Sequence, residues 1–565
     1  MLCRVESLPH PWNSELKSKG VAQWLHASPD FDLLMGMAMY GADLCYSKTL
    51  DNWPRGQFKN AVSQEHSHEI SRQIEAEQLK GWMVEVPESI STRLKFANAP
   101  LIAVDEVTKI RRITDFSNRD GAMVQGMNSM VNLEKLGKAP MQRPKDLGKA
   151  VYRLQKRFPG QPLGILVRDL SKAFRKLSVR LSQVPSLSTR WKGRHYWDLR
   201  LPFGHSASAH YCCKLTSAMA SSLTDYFSGR VECLAYVDDF ALIAPIHLQV
   251  QALHVFEKMV DDLGLTISTS KAAASGSWST TADWIGFTHD VSSCKHYLPS
   301  AKLVQYTGDL SEAIKIATKG SSIPRRDLLQ LVGRINHVAT IFTAGRAFMR
   351  SLLGATMVRK ARVPLNQSHL ADLIWWQKAL ATLPKFASMR RAPVSTDPLI
   401  ATDASLRGFG AILEMSGSPG ALAEPLSSSK LLAGSFLEPS SSGDMTLLEM
   451  WAVLMALKEW APAIVGCSVQ LHVDNVSVEF ALKKGRSFSP RVNAVLRDVL
   501  LLCLQNDICL YPVHVQSKDN IVADGLSRLT TKQLLGGHLG SFPISRRVSL
   551  KSPHNLPSPD QQHLL

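Results

Sequence analysis

The sequence predicts an α+β protein of more than one domain, and three observations carry that prediction. The chain has 565 residues, beyond the roughly 250–300 that one hydrophobic core usually organises. Between 81 and 300, short apolar runs at 101–104, 164–167, 234–237 and 284–287 read as strands separated by helical or turn segments. From 301 the apolar spacing turns helical, and from 396 strands return around a long helix, so a second, α/β domain follows the first.

Taken in order, residues 1–80 alternate short helical patterns such as 31–39 with polar stretches, and they carry no chemical motif and no assigned role. Residues 81–300 form the first domain. Within 301–395, the segments 311–318, 327–340 and 370–382 read as amphipathic helices. The second domain, 396–530, takes strands from Leu399 and Gly410, a helix over 446–460 and a strand over 469–473. The Ser, Gly and Pro cluster at 416–443 reads as a flexible loop inside it, and 531–565 as a disordered tail.

A composition of 45% hydrophobic and 20% charged residues is that of a folded chain and excludes general disorder. Sixty-five Lys and Arg against 48 Asp and Glu give a formal charge of +17, which attracts a polyanion such as nucleic acid. The nine cysteines include no CxxC pair, which argues against a zinc knuckle or a disulfide framework and for a reducing compartment. No apolar run approaches the roughly 18 residues of a spanning helix, and residues 1–20 are polar. The expectation is an intracellular protein, cytoplasmic or nuclear, with no membrane partner.

The chemistry lies in acids placed at strand ends. The apolar strand over 163–167 ends in Asp169, and Ser171-Lys172-Ala173-Phe174 turns away from it. Further on, 231–244 reads as a hairpin with Asp238 and Asp239 at its tip. Adjacent acids among apolar neighbours repel and lose hydration, a cost that a divalent cation removes. Hard oxygen ligands select Mg²⁺ or Mn²⁺. Three such acids suit phosphoryl transfer, in which two ions about 4 Å apart stabilise the attacking and leaving oxygens.

Asp169-x-x-x-Ala173-Phe174 followed by Tyr236-Val237-Asp238-Asp239 resembles the palm of reverse transcriptases from retroviruses and long-terminal-repeat retroelements. The resemblance implies a right-hand fold of fingers, palm and thumb. It implies further that Lys109 and Arg111 hold the nucleotide triphosphate, and that Phe174 is the aromatic gate that excludes a ribose 2′-hydroxyl. Phe203 and Gly204 belong to the Leu201-Pro202-Phe203-Gly204 segment that contacts template and nucleotide. Lys271 is implied to protonate pyrophosphate as general acid. Trp284-Ile285-Gly286-Phe287 resembles the primer grip. Arg168, before the first acid, and His210, Cys212 and Cys213, where the family more often has Pro and Phe, depart from the pattern.

A second acid set follows. Asp403 ends an apolar strand, Glu449 lies in the 446–460 helix, and Asp474 follows a strand whose alternation turns it with Gln470 and His472 away from the core face. Asp524 stands in Val522-Ala523-Asp524-Gly525-Leu526-Ser527-Arg528. With these flanks the set resembles retroelement ribonuclease H, a five-stranded α/β domain that would hold two Mg²⁺ ions, with His514 as an auxiliary residue in product release or acid catalysis. The segment 327–350 looks most like DIRS-type, tyrosine-recombinase retrotransposons. The implied partners are an RNA template, a DNA primer, their RNA–DNA hybrid and dNTPs. The rival expectation is a decayed or domesticated relative that binds nucleic acid without synthesis.

Overall fold

The computed structural model describes residues 15–47, 59–90, 98–106, 109–120, 124–268, 277–382, 386–389, 397–415, 429–436, 444–528 and 544–550. It mixes helix and sheet, and the chain divides into two compact units, Met1–Ile285 with His289–Ser293, and Gly286–Thr288 with Cys294–Leu565.

The first unit contains α1 (Ser18–Trp24), α2 (Phe31–Tyr40), α3 (Ser67–Leu79), β1 (Met83–Val86), β2 (Leu101–Glu106) and β3 (Lys109–Thr114). After these come α4 (Pro144–Arg157), β4 (Leu163–Asp169), β5 (Ser188–Trp191), β6 (Arg194–Asp198), α5 (Ser206–Tyr226), β7 (Glu232–Tyr236), β8 (Asp239–Pro245) and α6 (Gln249–Asp262). Strand β8 lies between β4 and β7 and runs antiparallel to both. Ile165, Leu166 and Phe240 to Ile243 are all buried. Burial on both faces explains why these strands read as continuous apolar runs instead of alternating ones.

Residues for which the sequence offers no role take part in this core. Val21 of α1 and Leu34 and Met37 of α2 belong to the cluster that holds Leu166, Phe240 and Phe256. The approach is close enough that a Cβ added at Gly20 would lie 2.2 Å from the Asp262 carbonyl oxygen. Ile70 and Ile74 of α3 pack instead with Leu101, Trp191 and Tyr196.

The second unit begins with helices α7 (Ser300–Thr318), α8 (Arg325–Val338) and α9 (Gln367–Thr382), whose core includes Leu310, Leu331, Ile335 and Trp376. Next come β9 (Leu399–Ala404), β10 (Gly408–Glu414), β11 (Lys430–Phe436), α10 (Met445–Trp460), β12 (Ser468–Val473), α11 (Val476–Lys484) and α12 (Pro490–Gln505). The unit closes with β13 (Cys509–His514), α13 (Ile521–Ser527) and β14 (Ile544–Leu550). The strands form one sheet in the order β13-β12-β9-β10-β11-β14. Strands β9, β12 and β13 are parallel neighbours, while β9, β10 and β11 form an antiparallel meander. Helices α10 and α12 pack on one face through Leu448, Val453 and Val495, and Leu526 of α13 packs on the other against Ala401 and Ile412.

Two expectations are corrected here. The sheet has six strands where five were expected, because β14 pairs in parallel with β11 inside the stretch read as a disordered tail; residues 531–543 and 551–565 of that stretch lie outside the described residues. Strand β11 likewise occupies part of the 416–443 stretch read as a loop. Both strands are flanked by polar residues, so composition averaged over the neighbourhood hid them. No helix among the described residues is long and apolar enough to cross a membrane.

Candidate active sites

The first site is built by register. Asp239 at the start of β8 pairs with Asp169 at the end of β4, and also with Tyr236 of β7, so the β7–β8 connection is only Val237 and Asp238. Val237 has φ of +56°, a region that a β-branched residue enters at a cost of about 1–3 kcal/mol. Such turns normally place glycine there. The strained tip is held from below by Cys212 of α5, whose thiol donates to the Val237 carbonyl at 3.6 Å. From another side the Trp284 indole donates to the Asp239 carbonyl at 3.4 Å. Carboxylate oxygens of Asp169, Asp238 and Asp239 lie within 4.8 Å of one another. Like charges directly opposite on neighbouring strands are destabilising, and three hard oxygen donors at this spacing fit a divalent cation.

A cleft of about 700 Å³ opens over these acids, and Arg111, Phe174 and Phe203 line it together with Asp169 and Asp238. The Arg111 guanidinium lies 5.3 Å from the Phe203 ring centre, and Phe203 lies 5.1 Å from Phe174. Gly204 has φ of +99°, and a Cβ there would meet the Thr114 carbonyl oxygen at 1.9 Å. Glycine is therefore required where this loop passes under β3. Lys109 begins β3, but its side chain is not among those described, and Lys271 lies outside the described residues. His210 and Cys213, departures from the family pattern, are both buried in α5, where His210 shares a hydrogen bond with the Leu136 carbonyl at 2.7 Å.

The second site also follows from strand order. In the parallel β9–β12 pair Ala401 is opposite His472, so Asp403, two residues on, comes beside Asp474 at the same end of the sheet. Helix α10 packs over this end and adds Glu449, and oxygens of the three acids lie within 4.8 Å of one another. Burial, then the charges of Asp403 and Asp474, push the Glu449 carboxyl up to about 9. Burial also raises Asp403 to about 6, against the lowering effect of the Ser527 hydroxyl that donates to it. Glu449 Oε2 is buried with no hydrogen-bond partner among the described residues. An orphaned carboxylate oxygen facing two more acids is costly, and a cation bound by all three would satisfy it.

Asp524 is not part of this cluster. Its carboxylate is paired with Arg528, just past the end of α13, at 2.5 Å. His514 shares a hydrogen bond with the Asp474 carbonyl at 3.2 Å, and the Ser517 hydroxyl donates to the Asp474 carboxylate at 2.8 Å. His472 lies, as the alternation predicts, on the face opposite the Val469, Leu471 and Val473 core, and it is buried there. Sequence reasoning missed Ser527 and Ser517, although Ser527 lies three residues after Asp524 and hence near it on a helix. It also missed Glu77, Lys172 and Arg175, which line the first cleft.

No protein-family model matches this chain, and no curated protein does. Similar solved structures include the foamy viral protease–reverse transcriptase in complex with RNA/DNA hybrid, 15% identical with a TM-score of 0.47 over 93% of this chain and 66% of that one. The same viral protein in complex with dsDNA is 14% identical, with a TM-score of 0.45 over 90% of this chain and 98% of that one. Its dRH form with ds DNA is 14% identical, with a TM-score of 0.46 over 90% and 83%.

Proposed function

We propose that the chain is an RNA-directed DNA polymerase of a retrotransposon, of the DIRS type, joined to a ribonuclease H that cleaves the RNA strand of RNA–DNA hybrids. Residues 81–300 serve as fingers and palm, 301–395 as thumb and connection, and 396–530 as the ribonuclease H. The observation that carries the reading is the presence in one chain of two clusters of three carboxylates, each with oxygens within 4.8 Å. The first of them underlies a cleft lined by Arg111, Phe174 and Phe203.

Asp169, Asp238 and Asp239 would hold Mg²⁺ in the first site, and Asp403, Glu449 and Asp474 in the second, with Asp524 joining on release from Arg528 and Mn²⁺ as a substitute. Bound there, two ions per site supply positive charge to the oxygens of the reacting phosphate. Arg111, with Lys109, binds the triphosphate of a dNTP. Phe174, packed against Phe203, fills the space a 2′-hydroxyl would need, and the backbone at Gly204 comes close to the base pair being formed. Lys271 protonates the leaving pyrophosphate. In the second site His514 acts on the departing product. The +17 charge favours template, primer and hybrid without reading their sequence.

The test is extension of a DNA primer on an RNA template with dNTPs and Mg²⁺, with template cleavage followed in the same reaction. Primer extension accompanied by template loss is the expected result. Binding of the hybrid with neither extension nor cleavage, in Mg²⁺ or in Mn²⁺, would refute the proposal in favour of a binding protein.

A further inference from the structure

Helix α3 lies in the stretch for which the sequence offered no role, yet Glu69, Arg72, Gln73, Ala76 and Glu77 line the cleft over the first acid cluster. Its strongest attachment is Glu77. One carboxylate oxygen of Glu77 accepts from the guanidinium of Arg112 and from that of Arg175, the latter at 2.8 Å. Arg175 also donates to Asp198 of β6 at 2.5 Å. The side chains of Arg112, Arg175 and Asp198 are 8%, 3% and 4% exposed, and that of Glu77 is 16% exposed. Along the same helix, Gln73 donates to the Ile110 carbonyl of β3 at 2.8 Å.

The two arginines are sequence neighbours of residues that face the cleft. Arg112 follows Arg111 on β3, and both line the cleft. Arg175 follows Phe174 in the short 3₁₀ turn Ala173–Lys176. Without Glu77, two buried guanidiniums would face each other with only Asp198 to balance them, and their repulsion would part the strand from the turn. Burial works against the Glu77 charge, but Arg175 and Arg112 outweigh it and hold the carboxyl below its ordinary value.

We infer that Glu77 is a positioning residue that ties the strand carrying Arg111 to the turn carrying Phe174, and so sets the spacing at which the cleft grips a nucleoside triphosphate and rejects ribose. The inference rests on the polymerase reading of this cleft. It enlarges the nucleotide site to include a helix from the first 80 residues.

The test uses the full chain with Glu77→Gln, which keeps the size and an acceptor but removes the charge, and Glu77→Asp, which keeps the charge. Equilibrium binding of a fluorescent dNTP to the complex with a chain-terminated primer on an RNA template needs no turnover, and dNTP-over-rNTP preference is read alongside it. Hybrid affinity and template cleavage report whether the variants are folded. Glu77→Gln is expected to weaken dNTP binding about tenfold and to lower the sugar preference by a similar factor, with Glu77→Asp between it and the wild type and with hybrid affinity and cleavage unchanged. Unaltered nucleotide affinity and preference in Glu77→Gln would overturn the inference, as would an equal loss of hybrid binding and cleavage, which marks a merely structural residue. If the wild type binds dNTP but does not extend, the polymerase proposal fails while the Glu77→Gln affinity ratio still decides this one. A wild type that binds no nucleotide overturns both.

Discussion

The first acid cluster stands at a two-residue hairpin tip beneath an open cleft, with Asp238 and Asp239 half-buried, whereas the second is closed over by a helix that leaves Glu449 3% exposed. Like charges are brought together in both, by different means. In the first the backbone carries the burden, through a valine at φ +56° and a thiol beneath it. In the second the solvent is removed, and burial raises the Glu449 carboxyl to about 9 and that of Asp403 to about 6. The contrast teaches that a cation, if held as proposed, would act for different reasons. At the hairpin it would offset repulsion between acids near water, while under α10 it would compete with protons on the buried carboxyls.

The largest effect expected from this contrast is on hydrolysis. Glu449→Gln should lower template cleavage on the order of a thousandfold, measured as initial rates on a labelled hybrid, because it removes a proposed ligand that is only 3% exposed. Residual cleavage within a few-fold of wild type would mean that Glu449 serves packing alone. Next in size, Phe174→Ala should raise ribonucleotide incorporation relative to deoxynucleotide by roughly 10–100-fold, read from competing single-nucleotide additions. An unchanged ratio would place the sugar gate elsewhere.

A smaller effect follows from the raised carboxyls. A carboxyl whose folded-state pKa lies above its unfolded value stabilises the fold below the unfolded value and ceases to do so as pH rises through the folded one. Here that loss runs from about pH 4 through about 6 for Asp403 and about 9 for Glu449. On the proposed reading Mg²⁺ would take the place of those protons, so it should raise the melting temperature of the second unit roughly 5 °C more at about pH 8 than at about pH 5.5. Scanning calorimetry with and without the ion reads this difference, and equal shifts at both pH values would break the comparison. Smallest, Ser527→Ala deletes the hydroxyl that donates to Asp403. It should cost about 1 kcal/mol in stability and reduce cleavage several-fold, with extension intact.

Much of the second unit was legible because its chemistry sits on regular elements. Asp403 and Asp474 end apolar strands, and parallel pairing of those strands brings them side by side. In the first unit, Asp169 and the Asp238–Asp239 tip were readable for the same reason, and Arg111, Phe174 and Phe203 do share their cleft. What stayed hidden depends on pairing between distant segments. Glu77 looks like any helical acid until Arg112 and Arg175 fold onto it, from 35 and 98 residues away. The Arg528 partner of Asp524 had the opposite difficulty, since an i,i+4 pair is easily seen but does not reveal that the acid lies outside the cluster of three. Strand β14 was lost because seven residues in a polar tail carry too little alternation to outweigh their surroundings.

The most direct test of two separate metal-dependent sites is reciprocal. Asp238→Asn and Asp403→Asn, in the full chain, are assayed on one RNA–DNA substrate for primer extension and template cleavage together. Asp238→Asn should abolish extension and leave cleavage within about twofold, and Asp403→Asn should do the reverse. Loss of both activities in either variant, or of neither, would contradict the assignment of one reaction to each cluster.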